Sequence, residues 1–182
     1  MKKRTATRLT KLAVTVAIAT VATIFAVQNA TQVDTDAQAP EPGTSSPQQV
    51  IAVVDGDTIN TIDENGTKNR VRIIGINTPE IGRGGVADEC YAQDARTALS
   101  NLVDGQKVEL VTDPSQGDTD KYGRLLRHIH TDSGNIAQLL LEQGAGHEYT
   151  YNTPYAGHDD FRAAEAAARD AHIGLWGHCT TR

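Results

Sequence analysis

Three short apolar segments separated by tight turns restrict the folds open to this chain. Residues 50–54, 58–62 and 70–76 are rich in Val, Ile and Thr, which favour β-strands. Asp-Gly-Asp at 55–57 and Asn-Gly at 65–66 supply turn residues, because glycine and asparagine readily adopt positive φ. The sequence therefore predicts three consecutive strands, the third of which is apolar enough to lie at the centre of a sheet or barrel.

The rest of the chain mixes helices and strands. The patterns predict helices over residues 91–102, 136–143 and 159–172, the second with Asn135 as its N-cap, and strands over residues 107–111 and 124–130. Five short strands with a helix inserted after the third are typical of a small closed barrel of the OB type. We therefore predict an α+β fold that is mainly β: a five-stranded OB-fold barrel with three helices.

The first 39 residues differ in composition from the remainder. Residues 1–11 carry five basic side chains, and residues 12–27 carry no charge. This order is typical of a secretory signal peptide or, if it is not cleaved, of an N-terminal membrane anchor through residues 12–27, and both predict an extracytoplasmic protein. Residues 40–49 are rich in Pro, Ser and Gln and predict a disordered linker, so the folded domain is expected over residues 50–179.

Charge and cysteine content narrow the class of protein further. The chain has a net charge of −6, and without residues 1–39 the net charge is −9. This balance excludes the broad basic surface of most nucleic-acid-binding proteins, so a nucleic acid would have to be held by a few arginines and a metal ion. The only two cysteines, Cys90 and Cys179, favour a disulfide over two free thiols in an exported protein.

Three segments carry residue types suited to phosphodiester hydrolysis. They are the motif at residues 55–58, the segment from Arg72 to Glu80, and the motif at residues 120–124 that ends in Arg124. Arginine matches phosphate oxygens, acidic side chains bind hard cations, and a carboxylate beside a bound water can accept its proton. Each residue alone has an ordinary explanation as a turn or surface residue, but the combination favours a catalytic site.

The motifs together resemble the staphylococcal nuclease (thermonuclease) family over residues 50–176. The matching pieces are Asp-Gly-Asp-Thr at 55–58, Arg72 six residues before Thr-Pro-Glu at 78–80, Asp-Lys-Tyr-Gly-Arg at 120–124, and Gly-Leu-Trp at 174–176. The resemblance implies an OB-fold nuclease that requires Ca²⁺. Such an enzyme cuts DNA and RNA by attack of water on phosphorus and leaves 3′-phosphate and 5′-hydroxyl ends.

The resemblance also implies roles for single residues. Arg72 and Arg124 would stabilise the phosphate, and Glu80 would act as the general base or position the attacking water. Lys121 and Tyr122 would bind the substrate nucleotide, as would Tyr149, whose alignment is less direct.

The predicted calcium ligands include one departure from the family. Asp57, Asn77 and the backbone carbonyl of Thr78 occupy the ligand positions, and the family usually has an aspartate in place of Asn77. An amide oxygen can still bind Ca²⁺ but carries no charge, so we expect weaker calcium binding.

A second hypothesis is a non-catalytic OB-fold module that binds nucleic acid or a protein. Such a module would be expected to lose the arginines and the glutamate and to show a basic groove with several stacking aromatic residues. This acidic chain has few aromatics and keeps both arginines and Glu80, so the sequence favours the enzyme. No apolar surface patch can be read from the sequence, and we expect a monomer.

Two further features have structural explanations. Asp55 is predicted to brace the turn that follows the first strand. His128 and His130 lie two residues apart on a predicted strand and would face the same side. No third ligand accompanies them, so a surface location is favoured over a metal-binding pair.

Overall fold

The structure, a computed structural model, describes residues 43–179. The predicted signal peptide or anchor at residues 1–39 lies outside the described residues. Within residues 43–179, no helix combines the length and the apolar composition needed to cross a membrane.

Short strands and helices follow one another throughout the described region. In chain order they are β1 (Ser45–Asp55), β2 (Thr58–Ile62), β3 (Lys68–Ile73), β4 (Gly75–Asn77), α1 (Ala92–Val103), β5 (Lys107–Val111), β6 (Leu125–Thr131), β7 (Gly134–Asn135), α2 (Ile136–Glu142), β8 (His147–Tyr149), α3 (His158–Asp170) and α4 (Leu175–His178).

Five of these strands close into a barrel. β1 pairs antiparallel with both β2 and β5, β2 pairs with β3, and β5 pairs with β6. A parallel pairing of β3 with β6, in which Val71 lies opposite Leu125, closes the barrel. The predicted α+β fold is thereby confirmed, with α1, α2 and α3 as the three helices and α4 as an additional single turn.

The predicted linker is wrong in its second half. Residues 45–49 form the start of β1 and pair with β5, from Ser45 opposite Val111 to Gln49 opposite Lys107. Backbone hydrogen bonds to β5 hold this segment in place. Because its first three side chains are exposed, the segment needs no alternation of apolar residues, and the sequence gives no strand signal. Pro47 is tolerated because this part of β1 has a neighbour on one side only. The first strand therefore begins at Ser45 and not at residue 50.

The predicted third strand is interrupted at Ile74. β3 ends at Ile73, and the chain turns before entering β4, which pairs with β8 in a separate two-stranded sheet. Gly75 makes the turn with φ of +88°, and a Cβ atom at this position would lie 2.6 Å from the Phe161 ring. Glycine is therefore required both for the backbone conformation and for close packing against α3.

The core fills the barrel and the space between the barrel and the helices. Its largest fully buried side chains include Ile59, Ile73 and Ile129 from the barrel, Leu99 from α1, Leu140 from α2 and Phe161 from α3. Full burial of such a side chain stabilises the fold by roughly 1.5–3 kcal/mol. Asn135 caps α2 as predicted, because its Oδ1 accepts the backbone N–H of Ala137 at 2.9 Å.

The expectation that His128 lies at the surface is wrong. This side chain is 4% exposed, and its Nε2 lies 3.0 Å from Asp113 Oδ2. Its ring also contacts Tyr155 and Phe161, with centroid distances of 5.9 and 6.2 Å. Asp113 lies in the segment after β5 and pairs with Nε2 of the imidazole, which a spacing pattern within β6 alone could not reveal.

Candidate active site

A cleft with a volume of about 560 Å³ opens where the two sheets meet. Seven of the nine residues predicted to bind substrate or metal or to act in catalysis line it: Arg72, Asn77, Glu80, Lys121, Tyr122, Arg124 and Tyr149. The other two, Asp57 and Thr78, are buried and hydrogen bonded to each other. The fold therefore gathers residues that are far apart in sequence.

Strand pairing explains this convergence. The parallel pairing of β3 with β6 places Arg72 opposite Leu126, and Arg124 lies just before β6 begins. The pairing of β4 with β8 places Gly75 opposite Tyr149. Both pairings meet at the turn between β3 and β4, which brings Asn77 and Glu80 to the cleft.

Arg72 is held rigidly at the end of β3. Arg72 is buried, with only 8% of its surface exposed. Nη1 donates to the carbonyl oxygens of Ile73 and Ile76, at 2.6 and 2.7 Å. Nη2 donates to Asn77 Oδ1 at 3.1 Å and lies 3.1 Å from Asp57 Oδ2. Backbone carbonyls around the turn thus orient the guanidinium before any ligand binds.

Asp57 is the buried partner of this arginine. Its Oδ2 also accepts the N–H and the hydroxyl of Thr78, at 3.1 and 3.3 Å, and its Oδ1 accepts the hydroxyl of Thr58 at 3.0 Å. Burial raises the pKa of Asp57, and Arg72 opposes this effect. Asp55 Oδ1 accepts the N–H of Asp57 at 3.3 Å, as expected for a residue that braces the turn.

Glu80 is mostly exposed, and two hydrogen bonds with Glu89 hold its main chain. The Glu80 N–H donates to Glu89 Oε2 at 2.8 Å, and the Glu80 carbonyl accepts the Glu89 N–H at 3.0 Å. Partial burial raises the pKa of the Glu80 carboxyl, and the charges of Asp57 and Asp55 raise it further. Glu89 was not predicted, because an acidic residue nine positions away in a glycine-rich loop gives no sequence signal.

The oxygen atoms around Asp57 suit a hard cation. Asp57, Asn77, Thr78 and Glu80 provide carboxylate, amide and carbonyl oxygens, the donors that Ca²⁺ prefers. Burial is the main cause of the raised pKa values of Asp57 and Glu80, and neighbouring carboxylates raise them further, so a bound cation would favour the ionised form of both groups. Within residues 43–179, no three His, Cys, Asp or Glu side chains cluster as a metal site, so binding would depend on neutral oxygens as well.

Arg124 is held by the turn that precedes β6. Its Nε donates to Asp120 Oδ2 at 2.6 Å, and its Nη1 donates to Thr58 Oγ1 at 3.4 Å. Asp120 Oδ1 also accepts the backbone N–H groups of Tyr122 and Arg124, at 2.9 and 3.0 Å. Burial acts to raise the pKa of Asp120, but these hydrogen bonds outweigh it and the pKa is lowered. Asp120 was predicted only as part of the motif at residues 120–124 and was given no role of its own, although an aspartate three residues before a glycine is typical of a type I turn.

Exposed tyrosines form the rim of the cleft. Tyr122 is 72% exposed, and Tyr149 and Tyr151 are 44% and 70% exposed. Lys121 Nζ lies 5.0 Å from the centroid of the Tyr122 ring, and the Tyr149 and Tyr151 rings are 6.4 Å apart. Tyr151 also lines the cleft and was missed, although its spacing of two residues from Tyr149 predicts the same side of an extended segment. Exposed rings of this kind can stack on nucleobases.

The predicted cysteine pair forms a disulfide outside the cleft. Cys90 and Cys179 are joined with an S–S distance of 2.03 Å across 89 residues of sequence. The bond ties the residue after Glu89 to the end of α4. In this C-terminal segment Leu175 is buried, and Trp176 contacts His147 with a ring-centroid distance of 4.8 Å.

Known proteins share this sequence pattern. Residues 70–178 match the family described as staphylococcal nuclease homologue. The chain is 35% identical over 136 residues to Endonuclease YncB of Bacillus subtilis. This alignment covers 71% of this chain and 62% of YncB. It is also 35% identical over 136 residues to the SPbeta prophage-derived endonuclease YokF of the same organism. That alignment covers 71% of this chain and 44% of YokF. Identity to the Thermonuclease of Staphylococcus hyicus is 27% over 128 residues, an alignment that covers 70% of this chain and 74% of that protein.

The matches cover different shares of the chain and of its relatives. The chain spans less than two thirds of the length of the two Bacillus relatives. The family match nevertheless covers more than half of the chain and includes Arg72, Glu80 and Arg124. The chain therefore belongs to the family of staphylococcal nuclease homologues.

Proposed function

We propose that the protein is a secreted, calcium-dependent nuclease that hydrolyses phosphodiester bonds of DNA and RNA and leaves 3′-phosphate ends. The observation that carries the proposal is the cleft, which brings Arg72, Glu80 and Arg124 together beneath a rim of exposed tyrosines. The names of the relatives, endonuclease and thermonuclease, support the same class of activity.

The two arginines would stabilise the phosphate during the reaction. Attack of water adds negative charge to the phosphoryl oxygens, and guanidinium groups match these oxygens in geometry and charge. Arg72 enters the cleft already oriented by its backbone partners, and Arg124 is oriented by Asp120. Fixed cations of this kind need no reorganisation as charge develops.

Glu80 would accept the proton of the attacking water. Its raised pKa brings the carboxyl closer to the pH at which a general base works best. The hydrogen bonds between Glu80 and Glu89 hold the main chain of the base in place. Asp57, Asn77 and the Thr78 carbonyl would hold Ca²⁺, which would supply positive charge to the phosphate and to the attacking water.

Substrate binding and location follow from other parts of the chain. Lys121, Tyr122 and Tyr149 would bind the nucleotide through charge and stacking, contacts that do not distinguish one base from another. Secretion is supported by the basic and apolar pattern of residues 1–27. The disulfide also supports it, because such bonds persist in oxidising compartments.

The decisive experiment is cleavage of single-stranded DNA by the purified protein during a calcium titration. We expect cleavage that appears with calcium and stops when a chelator is added. Glu80→Gln keeps the shape of the side chain and removes the base, so this variant should be almost inactive. If the variant cuts DNA as fast as the wild type, the proposed mechanism is wrong, and a folded protein that binds DNA without cutting it would support a binding module instead.

A further inference from the structure

A second cavity, with a volume of about 410 Å³, continues from the catalytic cleft. Glu80 and Arg124 line both cavities, and every other lining residue belongs to one cavity alone. The two spaces therefore meet at the residues proposed to act on the scissile phosphate. A nucleic-acid strand that crosses this point in the cleft would continue into the second cavity.

Two arginines of the second cavity have no partner for their positive charge within residues 43–179. Arg70 and Arg83 line the cavity, both are exposed, and neither guanidinium forms an ion pair or hydrogen bond in this described part of the chain. By contrast, Arg72 and Arg124 are each paired with an aspartate. Unpaired guanidinium groups beside a catalytic site are suited to bind phosphate.

The fold fixes the backbone that carries each of these arginines. Arg70 lies two residues before Arg72 on β3 and therefore on the same face of that strand, with Asn60 opposite it on β2. Arg83 lies in the loop after Glu80. There the Gly82 N–H donates to Asp88 Oδ1 at 2.9 Å, and the Arg83 carbonyl accepts the Val86 N–H at 3.2 Å.

The acidic residues of the cavity are directed towards other groups. Asp55 is buried and accepts the N–H of Asp57, and Glu89 accepts the N–H of Glu80. Glu80 itself is the proposed base. None of these three carboxylates forms an ion pair with Arg70 or Arg83, so both guanidinium groups can meet an anion from solvent.

We propose that the second cavity is a phosphate subsite for a single nucleic-acid strand, in which Arg70 and Arg83 bind the backbone on one side of the scissile phosphate. The exposed tyrosines of the cleft bind the strand on the other side. This inference rests on the proposed nuclease function. It specifies the substrate as a strand that extends in both directions from the bond that is cut, as an endonuclease requires.

Binding without cleavage tests the subsite directly. The probe is a fluorescent single-stranded DNA of about 15 nucleotides, titrated in chelator at several salt concentrations with the purified protein. The test variant is Arg70→Gln/Arg83→Gln. The control is Arg96→Gln/Arg162→Gln, which makes the same charge change at two exposed arginines of α1 and α3 that line neither cavity.

Each lost phosphate contact should lower the slope of log Kd against log salt by about 0.7 for a single strand. We expect the test variant to lose about 1.4 in slope and to bind several-fold more weakly at low salt, while the control keeps the wild-type slope. Equal slopes for the test variant and the control would overturn the subsite. Unchanged thermal unfolding of both variants verifies that each is folded.

Cleavage of short and long substrates separates this inference from the proposed function. With calcium present, the test variant should lose kcat/KM on the 15-nucleotide strand and keep it on a dinucleotide that is too short to reach the cavity. An equal loss on both substrates would refute the subsite, because the arginines would then act on the reacting phosphate. A wild-type protein that cuts neither substrate would refute the nuclease proposal, and the binding result would then decide the subsite by itself.

Discussion

The two walls of the cleft hold their arginines in different ways. The barrel wall consists of Asp57, Arg72, Asn77 and Thr78, and the turn wall consists of Asp120, Tyr122 and Arg124. Arg72 is buried and bound by backbone carbonyls and by a buried carboxylate. Arg124 is partly exposed and bound mainly by an aspartate four residues away. The barrel wall therefore belongs to the folded core, whereas the turn wall is a local structure placed on it.

The largest effect is expected from Arg72→Ala. The change should lower the cleavage rate by ~10²–10³ or more, because a fixed cation is lost at the phosphate. It should also reduce the free energy of unfolding by about 3 kcal/mol, because Asp57 would be left buried without its partner. Cleavage assays and urea unfolding measure the two effects. Normal stability in this variant would contradict the assignment of the barrel wall to the core.

Arg124→Ala should affect activity alone. We expect a loss of rate of ~10²–10³ at the phosphate. The free energy of unfolding should change by less than about 1 kcal/mol, because partly exposed pairs contribute little. The same two assays apply. A stability loss as large as that of Arg72→Ala would remove the distinction between the walls.

Gly75→Ala tests whether the turn between β3 and β4 builds the barrel wall. An alanine would adopt positive φ at a cost of about 1–2 kcal/mol, and its Cβ would overlap the Phe161 ring. Overpacking adds about 1–3 kcal/mol, so we expect unfolding at a distinctly lower urea concentration. Gly66→Ala is a suitable control, because that glycine also has positive φ, but a Cβ atom there would meet no other described atom within 4 Å. Equal losses in both variants would show that packing against Phe161 is unimportant.

Asn77→Asp should strengthen calcium binding. The change adds a negative charge among the proposed ligands and keeps an oxygen that can accept from Arg72 Nη2. We expect the calcium concentration at half-maximal cleavage to fall several-fold, as measured by titration. Asn152→Asp, which adds the same charge elsewhere in the cleft, is the control. An equal shift in both variants would indicate a general charge effect and not ligation.

The smallest effect is a shift in the pH dependence of cleavage. Glu80 must be ionised to act as a base, so activity falls as the pH drops through its raised pKa. Asp55→Asn removes one of the charges that raise this pKa, and the acidic limb of the profile should move to lower pH by less than about one unit. A shift to higher pH in Asp55→Asn would contradict this account of Glu80.

The sequence could predict what depends on local pattern and chemistry. The strands on either side of the Asp-Gly-Asp turn and the cap at Asn135 correspond to local signals, and the disulfide follows from the presence of only two cysteines in the chain; the structure contains all of them. The residues of the cleft could be assigned because the resemblance relates motifs from distant segments. Composition and periodicity alone do not show that these segments meet.

What the sequence could not show depends on contacts between distant segments. Residues 45–49 lack apolar periodicity and are held instead by backbone pairing with β5, which the sequence pattern does not show. The interruption at Ile74 follows from the packing of Gly75 against Phe161, which lies 86 residues further along the chain. His128 is buried because Asp113 is available to it. Glu89 likewise reaches Glu80 only through the shape of a loop.

The parallel pairing of β3 with β6 has a consequence for the order of folding. Val71 and Leu125 are joined across 54 positions, whereas the pairings of β1 with β2 and of β2 with β3 are local. Contacts between distant segments form late, because a long loop must first be closed. Arg72 and Arg124 therefore come together only when a long-range pairing forms, and we expect the recovery of cleavage during refolding to lag behind the formation of the local hairpins. A chain that has formed its hairpins but not the pairing of β3 with β6 would have folded strands and no assembled site.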